Sequence, residues 1–408
     1  MAPLVSVLLP TRNRLEFLEQ AIETVRRQDD EDWEIVVSDN DSEQDIAGHV
    51  AGLGDGERIR YVRTASFVPV TENWNNALAH ATGRYVVMLG DDDGLMPGYV
   101  ARLRQLVERF GGPDVIYSGA YIYAYPGVMP DDPEGYLQPY GYADFLKRRT
   151  QPFVLDPARR RRLVERAMHF RARYGFNMQF STVSMRLVEE LAPRGPFFQS
   201  AFPDYYATNV AFLTAREVVA EPRPLVVIGV TPKSYGFFHA HAQEEAGKAF
   251  LGSVTDDRAR QRLEGAMLPG SNINAGWLSA LESIWARYPD LAPAEPDHRR
   301  FRLLQATHAY EGCYLDGTVA PAQLAALEEL LRPWERRVGR GLAGIARAAG
   351  KNARRPLPGL LRRTISSGLH WAFTRQHVAW DPPKIRGRYR TLLDVYESEA
   401  AGLRSTSV

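Results

Sequence analysis

The amino-acid sequence predicts an α/β fold: a doubly wound, mostly parallel sheet followed by a helical C-terminal segment. Over roughly the first 120 residues, short β-branched runs alternate with amphipathic segments, the pattern of βαβ units. Residues 85–89 are apolar throughout, as expected for a strand that is buried on both faces. Beyond about residue 250 the spacing of apolar residues is mostly helical.

The predicted elements follow one another in an order typical of such a sheet. Strands are expected at residues 5–9, 34–38, 59–62, 85–89, 115–118, 179–183 and 225–230. Asn13 and Glu16 have the spacing of a capping box, which predicts a helix start near Arg14. Further helices are expected at residues 73–81, after Pro97, and at residues 205–213. Residues 121–173 are rich in turn formers and are interpreted as an insertion beside the site.

Length and composition narrow the class of protein. A chain of 408 residues exceeds what one core usually holds, so we expect an α/β domain at residues 1–250 and a mostly helical region at 251–408. The net charge of +1 argues against nucleic acid as a partner. Cys313 is the single cysteine, which excludes an internal disulfide and a cysteine metal cluster.

The distribution of apolar residues along the sequence predicts the cellular compartment of the protein. No apolar stretch is long enough to cross a bilayer, and a strand that begins at the fifth residue argues against a secretory leader. We therefore expect a cytoplasmic protein, with peripheral attachment at the inner face of the cell membrane as the alternative.

Polar residues follow the first two predicted strands, where an open α/β sheet binds its ligands. The first strand ends in Pro10, Thr11 and Arg12, without the three glycines of a dinucleotide-binding turn, which argues against an NAD-binding fold. Asp39 and Asp41 follow the second strand. Their carboxylates could accept hydrogen bonds from a base or a ribose, or could simply cap the next helix.

Three consecutive carboxylates, Asp91, Asp92 and Asp93, follow the fourth predicted strand. Their mutual repulsion is costly unless a cation or strong hydrogen-bond donors compensate for it. Mg²⁺ or Mn²⁺, which prefer oxygen ligands, would compensate while bridging a diphosphate. The alternative is a solvated acidic turn. If the cluster binds a metal, asparagine at one of these positions should keep the fold and even stabilise the metal-free protein, because it relieves repulsion.

Two other sets of residues have both a functional and a structural interpretation. His239 and His241 would project to one face of an extended segment, so His239 could complete a metal shell, although exposed loop histidines are also common. A group of aromatic residues could stack against sugar rings or could belong to the core. This group comprises Tyr117, Tyr121, Tyr123, Tyr125 and Phe153.

Taken together, the motifs resemble those of the family 2 glycosyltransferases, which have a GT-A fold. The resemblance rests on VSVLLPTRNR, on VVSDNDS, on NWNNALAHATGRYVVMLGDDDGLMPGYV and on the spacing between them. It covers about the first 120 residues well and continues more weakly to about residue 250.

The resemblance implies a set of nucleotide-binding and metal-binding residues. The nucleotide would be bound by Pro10, Thr11, Arg12, Asp39, Asp41, Asn75 and Asp91. Asp39 would recognise the base, and Asn75 matches the asparagine of the family segment that ends in Ala81, Gly83 and Tyr85. The acidic cluster matches the family's aspartate-x-aspartate motif, but Gly90 stands where its first aspartate often stands. The register therefore leaves Asp91, Asp92 and Asp93 all as candidate metal ligands.

The resemblance also implies a reaction. Asp204, roughly one hundred residues after the acidic cluster and at the start of a predicted helix, matches the family's catalytic base; a simple helix cap is the alternative. The implied activity is a metal-dependent, inverting transfer of a sugar from a nucleoside diphosphate donor, with UDP favoured, to a glycan or lipid-linked acceptor. The alternatives are an inactive nucleotide-sugar-binding scaffold and a sugar-phosphate nucleotidyltransferase.

Residues 332–375 are strongly basic and interspersed with leucine and isoleucine. Such a segment could place apolar side chains in the headgroup region of an anionic membrane, with its arginines against the lipid phosphates. The alternative is a basic pair of helices packed on the rest of the protein with its arginines in water. Either interpretation predicts an exposed basic face.

Overall fold

The structure is a computed structural model that describes residues 2–141, 143–172, 174–232, 234, 261–263, 266, 268, 273–349, 358, 361 and 383–406. The chain forms two compact units. The first comprises residues 1–161, 174–253 and 381–408, and the second comprises residues 162–173 and 254–380. The predicted boundary at residue 250 falls close to the one at 253, but residues 381–408 belong to the first unit and residues 162–173 to the second.

The first unit contains a mixed sheet. Its strands are β1 Val5–Thr11, β2 Trp33–Asp39, β3 Ile59–Arg63, β4 Tyr85–Met88, β5 Gly94–Leu95, β6 Val115–Ala124, β7 Tyr136–Pro139, β8 Phe153–Val154, β9 Ser181–Ser184, β10 Val218–Val230 and β11 Ile385–Arg386. The order is β11-β7-β6-β9-β4-β1-β2-β3, and β10 pairs with β5, β6 and β8. Strands β3, β2, β1 and β4 are parallel, as is the long pair β6 and β10, whereas β9 is antiparallel to both neighbours. The predicted α/β fold class is confirmed.

The order of the strands places a crevice between β1 and β4. Strands β2 and β3 lie on one side of β1, and β4 lies on the other side. The winding direction therefore reverses between β1 and β4, and in open α/β sheets ligands bind at such a reversal, outside the carboxyl ends of the strands. The residues after β1 and β4 are thus the first candidates for a site.

Helices flank the sheet. They are α1 Leu15–Arg26, α2 Ile46–Gly52, α3 Val70–Ala79, α4 Tyr99–Arg109, α5 Pro157–Met168, α6 Met185–Leu191, α7 Pro203–Thr214 and a C-terminal helix Leu392–Thr406. The capping box predicted for α1 is wrong. Asn13 has a left-handed φ of 54°, and its Oδ1 accepts from Glu43 N at 2.7 Å instead of capping the helix. The first N–H of the helix, at Leu15, donates to Gln44 Oε1 at 2.9 Å.

The C-terminal helix Leu392–Thr406 packs on α1 and on the sheet. Leu392 and Val395 are buried in one cluster with Tyr123 and Val227. Leu392 N donates to Gln20 Oε1 of α1 at 2.9 Å. The α/β unit therefore needs residues from the end of the chain to complete its core.

The second unit is helical, with helices Ile273–Arg287, His298–Glu311, Pro321–Leu330 and Pro333–Ala349. Its core includes Tyr310, Leu324, Leu327 and Leu342. Among the described residues, no helix combines the length and the apolarity that crossing a bilayer requires.

The last of these helices, Pro333–Ala349, corrects part of the prediction for the basic segment. Leu342 and Ala346 face the core, and the exposed side carries Arg337, Arg340 and Ile345. Leu342 is therefore not available to a membrane, which it was expected to enter. Most of the predicted segment beyond residue 349 lies outside the described residues.

Candidate active site

Arg14 is the centre of the acidic cluster at the crevice. Its Nη1 lies 2.8 Å from Asp91 Oδ1, and its Nη2 lies 2.5 Å from Asp92 Oδ2. Arg14 is 8% exposed, and its guanidinium bridges the two carboxylates. Burial alone would disfavour its charge, but Asp91 and Asp92 outweigh that effect and raise the pKa of Arg14 above its usual value. A protein cation thus compensates the repulsion that the sequence assigned to a metal.

Hydroxyl groups complete the surroundings of Asp91 and Asp92. Thr11 Oγ1 donates to Asp91 Oδ2 at 2.8 Å. Asp92 Oδ2 accepts from Thr231 Oγ1 at 3.0 Å and also from Ser234 Oγ. Thr11, one of the predicted nucleotide-binding residues, is therefore in direct contact with the acidic cluster.

Asp93 points away from Asp91 and Asp92 and holds the turn together. Its Oδ2 accepts from Gly90 N at 2.8 Å and from Gln179 Nε2 at 2.5 Å, and its Oδ1 accepts from Gly229 N at 2.8 Å. Burial and the neighbouring Asp92 raise the pKa of Asp93, and the three N–H donors oppose that shift. This carboxylate is occupied by the protein itself, so its contacts favour a structural role over the predicted metal ligation.

Two glycines allow the turn to pack closely. A Cβ on Gly229 would lie 1.8 Å from the carbonyl oxygen of Asp92, so β10 can approach the turn only without a side chain there. A Cβ on Gly90 would lie 2.6 Å from Asp93 Oδ2. A side chain at position 90 would therefore require the Asp93 carboxylate to shift.

The donor set of Asp91 and Asp92 suits a hard divalent cation, since it consists of carboxylate and hydroxyl oxygens. Among the described residues, however, no three His, Cys, Asp or Glu side chains converge as a metal site would require. His239 and His241 lie outside the described residues, as does Lys233. Asp91 and Asp92 thus fit a cation chemically, and Arg14 already contacts both.

Asp39 lies in a row of paired residues across three strands. Thr11 of β1 is opposite Asp39 of β2, which is opposite Arg63 of β3. The Asp39 side chain is fully buried; its Oδ1 accepts from Ser42 N at 2.9 Å and its Oδ2 from Tyr61 OH at 2.7 Å. Arg63 Nη1 donates to the same Oδ2 at 3.2 Å. The row brings Asp39 to the same edge of the sheet as the acidic cluster.

The other predicted residues of this edge are more exposed. Asp41 has a left-handed φ of 55°, and its Oδ1 lies 2.9 Å from Arg63 Nη2. Arg12 is exposed, and its guanidinium carbon lies 4.3 Å from the ring centroid of Phe67. Pro10 precedes them as the penultimate residue of β1. Arg12 and Asp41 can therefore reach a ligand that enters from solvent.

Asn75 connects α3 to the segment that leads to Asp204. Its Nδ2 donates to Phe198 O at 2.9 Å, and its Oδ1 accepts from Phe198 N at 3.2 Å. One turn earlier, Thr71 Oγ1 donates to Ser200 O at 2.7 Å. Both ends of the Asn75 amide are thus occupied by backbone, which favours a positioning role over the predicted contact with a nucleotide.

Asp204 is the second residue of α7, directly after Pro203. Its Oδ1 accepts from Tyr205 N at 2.7 Å. The side chain keeps some exposure, yet the surrounding protein desolvates it and raises the pKa of Asp204 from 3.8 to about 7. Among the described residues, no arginine or lysine forms an ion pair with it. A carboxylate with a pKa near neutrality is suited to accept a proton at neutral pH.

The predicted aromatic platform is mostly core. Tyr117 and Tyr123 are fully buried, and Tyr125 is nearly so. Tyr117 stacks on Phe180 with a centroid separation of 5.4 Å. For these residues the alternative of ordinary packing is the correct one.

Several contact residues were not identified from the sequence, namely Arg14, Tyr61, Arg63, Gln179, Thr231 and Ser234. The contact of Arg14 with the acidic cluster could have been predicted from the sequence. Three adjacent aspartates need a compensating charge, and Arg14 is the basic residue directly before the first helix at the same edge of the sheet. The contacts of Thr231 and Ser234 could not have been predicted, because these residues lie about 140 positions along the chain from Asp92 and only the folded sheet brings them together.

Comparison with known proteins identifies the family. Residues 6–168 match the family model for Glycosyl transferase family 2. Residues 6–168 therefore match the family 2 glycosyltransferases, and the resemblance inferred from the motifs is confirmed for that region.

Relatives align over part of their length. A Campylobacter jejuni protein named GalNAc(5)-diNAcBac-PP-undecaprenol beta-1,3-glucosyltransferase is 40% identical over 105 residues, which cover 25% of this chain and 34% of the relative. An Escherichia coli K12 protein, named as a proposed colanic acid biosynthesis glycosyl transferase, WcaA, is 30% identical over 157 residues, covering 36% and 53%. The alignments thus span about a third to a half of the length of these relatives.

Solved structures include Staphylococcus aureus TarS 1-349, with 13% sequence identity and a TM-score of 0.45, covering 93% of this chain and 94% of that one. The complex of TarS 1-349 with UDP-GlcNAc also has 13% identity and a TM-score of 0.45, covering 95% and 99%.

Proposed function

We propose that this chain transfers a sugar from a nucleoside diphosphate sugar to an acceptor hydroxyl, with inversion at the anomeric carbon. The observation that supports this most is the convergence of Asp39, Thr11 and the Asp91–Asp92 pair at the carboxyl ends of β2, β1 and β4, where the winding reverses. A base-recognising carboxylate beside a cation-binding pair is what a nucleoside diphosphate requires. A UDP-sugar is the favoured donor.

In the proposed reaction Asp204 accepts the proton of the acceptor hydroxyl as that oxygen attacks the anomeric carbon. The bond to the nucleoside diphosphate breaks, and its electron pair leaves with the diphosphate. Asp91 and Asp92 would hold Mg²⁺ or Mn²⁺, which when bound stabilises negative charge on the leaving group. A single displacement inverts the anomeric configuration, so an α-linked donor gives a β-linked product.

The proposed acceptor is a glycan or a lipid-linked saccharide. Support comes from the Campylobacter jejuni relative, whose name includes a PP-undecaprenol-linked saccharide. A lipid-linked acceptor would agree with the proposed location of this chain in the cytoplasm, at the inner face of the cell membrane. The partial alignment leaves the linkage and the identity of the sugar open to experiment.

A screen of nucleotide sugars by thermal shift tests this function, because a ligand that binds only the native state raises the unfolding temperature. With Mn²⁺ present, we expect a UDP-sugar to stabilise the protein and to be hydrolysed slowly to UDP. Asp39→Asn should weaken UDP binding by about 10-fold, since a buried hydrogen bond to the ligand costs about 1–3 kcal/mol. Asp30→Asn is the matched control, because Asp30 pairs with Arg104 and precedes β2.

Different outcomes of the screen identify the alternatives. Binding of nucleotide sugar without turnover towards any acceptor or water would indicate the inactive scaffold. Release of nucleotide that depends on pyrophosphate would indicate a nucleotidyltransferase. If Asp39→Asn and Asp30→Asn bind UDP as well as the parent protein does, the role of Asp39 is wrong.

Peripheral contact with an anionic membrane through residues 332–375 is also proposed. The described part of that segment supports an electrostatic contact, since the exposed side of helix Pro333–Ala349 carries Arg337 and Arg340 beside the exposed Ile345. Each arginine near an anionic surface contributes about 1 kcal/mol. Anionic lipid would therefore bind this face while the apolar side of the helix stays in the core.

We expect the protein to float with phosphatidylglycerol vesicles at about 0.02 M salt and to be released at about 0.5 M salt, because screening weakens surface attraction. Arg337→Gln with Arg340→Gln should weaken flotation. Arg162→Gln with Arg166→Gln, two exposed arginines of α5, is the matched control. Truncation before this helix is unsuitable, because it would also remove the C-terminal helix of the α/β unit. The proposed contact would be contradicted if flotation were the same at low and high salt. It would also be contradicted if the two double variants reduced flotation equally.

A further inference from the structure

The guanidinium of Arg14 occupies one oxygen of each of the two carboxylates to which the proposed function assigns the metal. Its two terminal nitrogens each contact one of the two carboxylates, at 2.8 and 2.5 Å. Thr231 Oγ1 fixes Nη2 further, at 2.6 Å. The arginine thus bridges the same pair of carboxylates to which the proposed function assigns the metal.

The charges make simultaneous occupation unfavourable. Arginine remains protonated in proteins, so it carries one positive charge at any working pH. A divalent cation within contact of the same carboxylates would face that charge at short range in a largely buried site, where repulsion is screened less than in water. A metal that used Asp91 Oδ1 and Asp92 Oδ2, the two oxygens that Arg14 contacts, would therefore have to displace the guanidinium.

The surroundings of Arg14 do not tie its side chain to a helical position. Nε is buried without a hydrogen-bond partner among the described residues. The arginine is the residue just before α1, outside the regular helix, so a change of its side chain does not require the helix to move. Phe17 lies beneath the guanidinium, whose central carbon is 5.5 Å from the ring centroid.

We propose that Arg14 is a built-in counter-ion that competes with the divalent cation for Asp91 and Asp92. This inference rests on the proposed function, since it takes the metal assigned there as the competitor. In the absence of metal, Arg14 offsets half of the negative charge of the pair and contacts both carboxylates. A metal binds by displacing the guanidinium from the carboxylates, so the affinity for metal alone is lower than the two carboxylates would otherwise give.

Metal binding without any nucleotide tests this competition directly. The full-length protein is stripped with chelator and titrated with Mn²⁺, and free Mn²⁺ is followed by its electron paramagnetic resonance signal. Arg14→Gln should bind Mn²⁺ at least tenfold more tightly than the parent protein. Arg102→Gln is the matched control, because Arg102 forms a comparable pair with the buried Glu221 and should leave Mn²⁺ affinity unchanged. Adding Asp92→Asn to Arg14→Gln should abolish the gain.

Equal or weaker Mn²⁺ binding by Arg14→Gln, including no binding at all, would overturn the proposal. If that variant does not fold, Arg14→Met replaces it, since methionine also removes the positive charge that opposes the metal. Mn²⁺ affinity of Arg14→Met equal to that of the parent would overturn the proposal equally. A parent protein that turns over no nucleotide sugar while Arg14→Gln gains affinity would contradict the proposed function and leave the counter-ion role intact.

Discussion

Replacement of Asp204 by asparagine is expected to lower turnover by about 100-fold or more and to leave the affinity for nucleotide sugar nearly unchanged. A positioned general base contributes about 10²–10⁴-fold to a rate, and it acts on the acceptor in the transition state, not on the bound donor. Asparagine keeps the shape of the side chain and can still accept the hydrogen bond from Tyr205 N. Steady-state kinetics with donor and acceptor varied separately measure both quantities.

The pH dependence gives Asp204 a second signature. Because its pKa is raised to about 7, the rate should fall tenfold for each pH unit below 7 and level off above it. The native state holds the proton more tightly than the unfolded chain, whose aspartate has a pKa near 3.8. The contribution of this group to stability is therefore fully present below pH 3.8 and is lost as the pH rises through about 7. Asp204→Asn should remove both effects.

Asp45→Asn is the matched control for this experiment. Asp45 caps α2 by accepting from Gly48 N at 2.8 Å, so like Asp204 it accepts a backbone N–H at the start of a helix, but it is exposed. Turnover of Asp45→Asn should equal that of the parent. Turnover of Asp204→Asn within a few-fold of the parent, or an unchanged pH profile, would assign the base to another residue.

Local sequence patterns were sufficient to predict several strands and the turns that follow them. The strands that end at Thr11 and Asp39, and the acidic turn after β4, follow from apolar runs that stop at polar residues. Parallel pairing brings such ends to one edge, so their proximity could be inferred without coordinates. A strand was also predicted at residues 179–183, where β9 lies, but its antiparallel place between β4 and β6 was not, because that pairing depends on residues about 65 to 100 positions away.

The direction in which individual side chains point could not be predicted from the sequence. Asp91, Asp92 and Asp93 are equivalent in the sequence. In the structure, Asp93 accepts from backbone N–H groups, whereas Asp91 and Asp92 contact Arg14. The place of the C-terminal helix was also unpredictable, since its apolar residues would suit either unit. Gly229 is a further example. Its separation from Asp92 along the chain does not predict a contact, but in the folded sheet a Cβ on Gly229 would collide with the Asp92 carbonyl oxygen.

The structure reverses the expectation for asparagine in the acidic cluster. Relief of repulsion was expected to stabilise the metal-free protein, but Arg14 already compensates Asp91 and Asp92. Removing one carboxylate charge leaves a buried guanidinium with half of its partners, and breaking a buried ion pair by removing one member typically costs about 3–5 kcal/mol. Arg14 retains Asp91, so the lower end of that range applies.

Asp92→Asn should therefore destabilise the α/β unit by about 3 kcal/mol in the presence of EDTA. Urea unfolding followed by a signal of this unit measures the change, since the two units need not unfold together. Asp144→Asn, which removes a surface pair with Lys147, is the control and should change stability by less than about 0.5 kcal/mol. Because the loss comes from Arg14, Arg14→Gln combined with Asp92→Asn should cost less than the sum of the two single changes. Equal or greater stability of Asp92→Asn in EDTA would show that Arg14 does not compensate the cluster in solution.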